Sequence, residues 1–146
     1  MNAVLELQEK CFRASYDAGW WHHADTGLPY IPGDAAITED GIVRWSNINE
    51  PIRLMIIHYW PMMIACKIAL IHSEVSEAMG AHRIDGMDDK LKHRLGIETE
   101  MADSMIRQFD LAGAMTYAAQ LGVIDPKTHR FDLDAAISEK MSFVFI

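Results

Sequence analysis

The sequence predicts an all-α fold, an antiparallel helical bundle with a four-helix-type core. Three observations point there. Apolar residues recur every three to four positions through several long stretches, which is the period of a helix face. No stretch alternates apolar and polar residues as a half-buried strand does. Half of the 146 residues are hydrophobic, enough for one core at a length that suits one domain. Residues 1–146 are therefore read as a single domain.

The elements follow in order. Val4, Leu7, Cys11 and Ala14 share one helical face, so the first element is an amphipathic helix ending near Gly19. The stretch from Gly19 to Glu50 holds glycines, prolines and acidic residues without a sustained period. It is read as a long loop, and a loop of that length in a compact domain is either functional or structureless. Its aromatics, Trp20, Trp21, Tyr30 and Trp45, either cover the core or form a lid that stacks on a base. Asn49-Glu50-Pro51 opens the second helix, with proline tolerated in the first turn. Pro61 kinks that helix or starts another, and the helix is expected to end near Gly80. A charged connection, "AHRIDGMDDKLKHRLG", leads to a third helix from about Ile97 to Leu121, closed by Gly122. "VIDPKTHRF" reads as a turn, and Asp132 or Asp134 caps a last short helix running to about Met141.

Composition narrows the function. A formal net charge of -8 and a pI near 5.2 argue against a nonspecific binder of nucleic acid or of anionic membranes, both of which need a basic surface. Cys11 and Cys66 form no CxxC, which speaks against a disulfide scaffold and for a reducing compartment. The start, "MNAVLELQEK", carries Glu6 and Glu9 early and lacks the pattern of a signal peptide. A cytoplasmic location is the expectation. "LMIIHYWPMMIACKIALI", Leu54 to Ile71, is long enough to span a bilayer. It contains His58, Pro61 and Lys67, and a lysine inside a span costs about 2.5–3.5 kcal/mol. The helical pattern also runs on into Ser73–Glu77 without a basic flank, so a bundle helix is preferred to a membrane span.

Carboxylates carry the chemistry. Lys67, Leu70, Glu74, Glu77 and Ala81 fall on one stripe of the second helix, beside an apolar stripe of Ile64, Ile68, Ile71, Val75 and Ala78. On the third helix, Glu100 and Asp103 lie on a stripe continued by Arg107, Asp110 and Ala114, next to Ile97, Met101, Met105, Phe109 and Ala112. Consecutive long helices joined by a moderate connection pack antiparallel. That arrangement brings Glu74, Glu77, Glu100 and Asp103 to one level. Four crowded carboxylates need a counter-charge, and oxygen donors favour Mg²⁺ or Mn²⁺. A di-iron centre would use ExxH on its helices, which neither pair has. Arg107 and Asp110 are expected to form a supporting ion pair.

"LIHSEVSEA", "DDKLKHR", "ETEMADSMIRQFDLAGA" and "DLDAAISEKM", taken together, resemble the MazG-like all-α nucleoside triphosphate pyrophosphohydrolases. The family signature is ExxE, a variable connection and ExxD. Here it reads Glu74-x-x-Glu77, 22 intervening residues, then Glu100-x-x-Asp103. The resemblance covers about Leu70 to Met141. It implies Mg²⁺-dependent hydrolysis of a nucleoside triphosphate to the monophosphate and pyrophosphate. The four carboxylates would hold metal, and Glu74 or Glu77 would act as general base. Lys67, Arg83, Lys90, Lys92, Arg94 and Lys140 become candidates for phosphate contacts. Two positions depart from the pattern. Ser73 stands where some relatives carry another acid, and Val144 stands where an asparagine is expected, which reduces the phosphate contacts anticipated from that end. The family also implies a dimer or tetramer, in keeping with a third helix that is apolar over most of its circumference. The alternative is a non-enzymatic helical oligomer that binds a structural cation or a nucleotide.

Overall fold

The computed structural model describes residues 2–31, 49–121 and 131–144. They form four helices: α1 (Ala3–Asp17), α2 (Glu50–Ile84), α3 (Gly96–Gln120) and α4 (Leu133–Val144). No strand occurs among the described residues, only isolated bridges at His22–Pro29 and Met87–Leu95. The all-α class is as expected. Trp45, Gly122 and most of the "VIDPKTHRF" turn lie outside the described residues.

Local chemistry sets the helix ends. Asn2 caps α1, its side chain accepting from the Val4 N–H at 3.1 Å, which satisfies one of the orphan donors of the first turn. Pro51 sits in the first turn of α2, where a missing N–H costs nothing. Pro61 neither ends α2 nor starts another helix; it lies inside one continuous helix, at an exposed position. The carbonyl it leaves without a donor belongs to Ile57, an exposed residue. α2 also runs past Gly80 to Ile84, one turn further than expected. Asp85 stops it in the left-handed region at φ 47°, a conformation that Asp tolerates better than most residues. In the connection, the Asp88 carboxylate accepts from the backbone N–H of Lys90 and Leu91 and from the Thr99 hydroxyl. Asp132 caps α4 by accepting from the Ala135 N–H at 3.0 Å.

α3 is the central helix and packs against both α1 and α2. The α2–α3 pair is antiparallel: partners advance along α2 as they retreat along α3, from Lys67 with Asp110, through Glu74 with Arg107, to Ala81 beside Gly96. α1 crosses the other side of α3 at Gly113. A Cβ there would lie 2.5 Å from the Phe12 Cβ and 2.6 Å from the Gln8 carbonyl oxygen, so only glycine permits this approach. The core is built from Phe12, Trp21, Ile31, Trp60, Leu111, Ala114 and Ala118. Trp21 and Ile31 are fully buried, so this early part of the expected loop is a packed segment that closes over the bundle. α4 buries no residue and packs lightly on α1.

One face stays uncovered by the described residues. Ile57, Ile68, Val75 and Met79 of α2 and Met101 and Met105 of α3 are exposed. Part of α2 is long and apolar enough to cross a membrane by length and composition, and only 17% of that stretch is buried.

Candidate metal centre

Antiparallel packing of α2 on α3 brings together carboxylates that are distant in the chain. Carboxylate oxygens of Glu74, Glu77 and Glu100 all lie within 4.8 Å of one another. Glu74 is buried, Glu100 half-buried and Glu77 exposed, so the cluster spans the step from core to solvent. Asp103 stands at its rim. It is exposed and outside the tight triad, yet its charge acts on Glu100.

Electrostatics show the crowding. The Glu100 carboxyl is pushed above its ordinary value, first by burial, then by the charges of Glu77, Glu74 and Asp103, and last by a hydrogen bond with Glu74. Each of these disfavours the ionised form. Two side chains offset part of the charge. Arg107 donates from its Nε to Glu74, and the Ser73 hydroxyl donates to Glu77 at 2.9 Å.

The expected partners of the cations are exchanged. Arg107 pairs with Glu74, and Asp110 pairs with Lys67 at 3.0 Å; the anticipated Arg107–Asp110 pair does not form. The reason is level along the antiparallel helices, which sets Lys67 opposite Asp110 and Glu74 opposite Arg107. Lys67, a candidate phosphate contact, is 7% exposed. Its ammonium lies over the Trp21 ring, 4.0 Å from the centroid, and the Trp21 indole N–H donates to the other Asp110 oxygen at 2.7 Å. Both Asp110 oxygens are thereby used, and Lys67 is part of the core.

Among the described residues, no hydrogen bond or ion pair joins the remaining candidate cations to the triad carboxylates. Arg83 is exposed, its guanidinium 3.8 Å from the Met79 sulfur. Lys90 and Lys92 are exposed in the connection. Arg94 pairs with Glu98 at 2.7 Å on the surface. Lys140 is exposed on α4. The hydrogen bonds and ion pairs of Arg83 and Arg94 do not reach the triad.

Two residues join the site that the spacing did not single out. Ser73 is adjacent to the motif, and its hydroxyl was legible only as a departure from an acidic pattern. Trp20 is 57% exposed, with the Arg107 guanidinium 5.9 Å from its ring centroid. The donor set suits a hard divalent cation: three carboxylates, close together, with uncompensated charge registered at Glu100 and no sulfur or imidazole among them. Comparisons of the chain with protein families, curated proteins and solved structures return no match.

Proposed function

We propose that this chain is a Mg²⁺- or Mn²⁺-dependent nucleoside triphosphate pyrophosphohydrolase that works as a homo-oligomer in nucleotide-pool housekeeping. The observation that carries the reading is the convergence of Glu74, Glu77 and Glu100, with Asp103 at the rim. The resemblance of the ExxE and ExxD segments to the MazG-like family supplies the reaction.

Glu74, Glu77 and Glu100 would hold the cation, with Asp103 available from the solvent side. When bound, the ion supplies positive charge against the phosphate oxygens of the substrate. The protein's own groups divide the remaining work. Glu74 is engaged by Arg107, whereas Glu77 is exposed and carries only the Ser73 hydroxyl on one oxygen. Glu77 is therefore the better general base for the attacking water, being exposed to solvent and paired with no cation among the described residues. Lys67 is assigned to the scaffold, not to phosphate.

The oligomer follows from the uncovered apolar face. A groove of about 400 Å³ lined by Val75, Met79, Met101 and Met105 among others is the seat we assign to a second copy, whose helices would complete the bundle. A second reading, a non-enzymatic oligomer with a structural cation, is favoured by the Arg107–Glu74 pair, which already neutralises part of the cluster. The test is pyrophosphate release from a panel of ribo- and deoxynucleoside triphosphates with Mg²⁺. Turnover that requires the metal is the expected result. Metal binding without turnover on any triphosphate would favour the second reading.

A further inference from the structure

Arg107 is the only cation paired with the carboxylate triad among the described residues, and its surroundings are unlike those of a locked structural pair. Lys67–Asp110 shows what locked means here. Both side chains are under one tenth exposed, at 8% and 6%, and the Trp21 indole occupies the remaining oxygen of the acid. Arg107 keeps 29% of its side chain exposed while Glu74 keeps 9%. Its contact to Glu74 is through Nε, so the two terminal nitrogens of the guanidinium are not spent on that carboxylate. Beside it, at 5.9 Å, lies the ring of Trp20, an indole more than half exposed and close enough to hold a guanidinium by its face.

Charge decides what happens when the site fills. Without metal, three carboxylates crowd together and one of them, Glu74, holds the guanidinium. Glu74, Glu77 and Glu100 would hold a divalent cation together, and its charge would weaken the hold of Glu74 on the arginine. The partly exposed guanidinium would then stand beside a cluster of reduced negative charge, with its two terminal nitrogens available to a ligand. Their fork matches the oxygen geometry of phosphate.

We infer that Arg107 is a two-position cation: it stands on Glu74 in the metal-free protein and turns, along the Trp20 ring, to a phosphate of the bound ligand once metal occupies the triad. The ligand class is a metal-complexed polyphosphate. The inference rests on the metal-centre reading and assigns Arg107 as a substrate-binding residue of that site.

The test uses Arg107→Gln and Arg107→Lys, with Mn²⁺ alone and then inorganic tripolyphosphate at saturating Mg²⁺, each titrated by calorimetry. In Arg107→Gln the competitor for Glu74 is gone, so Mn²⁺ should bind a few-fold tighter than in the wild type. Tripolyphosphate should bind at least about tenfold weaker, the loss expected for charge-assisted hydrogen bonds. Arg107→Lys keeps the charge and loses the fork, so it should fall between; it also keeps the question open to measurement if the glutamine variant folds poorly. A wild type that binds Mn²⁺ and tripolyphosphate, with both variants binding tripolyphosphate as tightly, would make Arg107 a structural ion-pair partner and overturn this inference alone. A wild type that binds no Mn²⁺ would overturn the metal centre and this inference together.

Discussion

Glu100 and Lys67 are opposite cases of charge near a core, and single substitutions tell them apart. Glu100 is disfavoured as an anion first by burial and then by like charges, so its raised carboxyl pKa has a definite sign in stability. A group whose folded pKa lies above its unfolded one stabilises the fold below the unfolded value, and that contribution is lost as pH rises through the folded value. The metal-free protein should therefore lose stability at this site as pH climbs through and just above the ordinary carboxylate range. Glu6 and Asp88 are held below their ordinary values and act in the opposite direction, so the comparison must be between wild type and Glu100→Gln. We expect Glu100→Gln, and to a lesser degree Asp103→Asn, to melt as high as wild type or higher at neutral pH without metal. Both should lose the Mg²⁺-induced rise in melting temperature and most turnover. Variants that melt much lower yet still turn over would remove these residues from the site. Lys67→Met is the contrary case. It leaves Asp110 buried with one partner, and the cost should be about 3–5 kcal/mol by denaturant unfolding. Lys67→Met with Asp110→Leu together should recover a good part of that loss. Recovery by the double variant identifies the pair as scaffold; a small loss in the single variant would contradict its burial.

At the scale of elements, α3 depends on close approach on both sides. Gly113 is where α1 meets it most tightly, against Phe12 and Gln8. Gly113→Ala should destabilise the fold by about 1–3 kcal/mol despite a better helix propensity, because the added methyl overpacks backbone against backbone. Urea unfolding of the two proteins side by side measures it, and a stabilised alanine variant would mean that α1 does not dock here. The other side of α3 aligns the site. Helix existence was legible from the 3.6 period for α1, α2 and α3; α4 was read from a capping aspartate, Asp132 or Asp134, and the structure selects Asp132. The end of α2 was not: Gly80 reads as a stop, but the helix continues because the left-handed cap five residues beyond the glycine, Asp85, is what terminates it. Nor could the sequence say that Pro61 lies inside a continuous helix, since that depends on whether the orphaned carbonyl can reach water.

The molecule as a whole leaves too much apolar surface outside its core. α2 and α3 present Ile57, Ile68, Val75, Met79, Met101 and Met105 as exposed residues, whereas α4 packs lightly on α1. We expect sedimentation at micromolar concentration, without detergent, to give a dimer or larger. Val75→Glu with Met101→Glu should shift the population to monomer, by placing charge in the groove between the helices. A monomeric wild type would leave the face to another partner, and partition into liposomes would return α2 to the membrane reading.

The sequence by itself determined the all-α class, the helices, and the carboxylates that face one another, because helical period and the antiparallel packing of neighbours are local consequences of residue pattern. It did not determine which cation meets which anion. Lys67 and Arg107 lie on the same stripes as their carboxylates, and either could have served phosphate or core. Only the register of α2 against α3, together with the burial of Trp21 over Lys67, decided that Lys67 is consumed by Asp110 and that Arg107 stands at the carboxylate triad. Register is a sum over many contacts along two helices, and no short spacing in the chain records it.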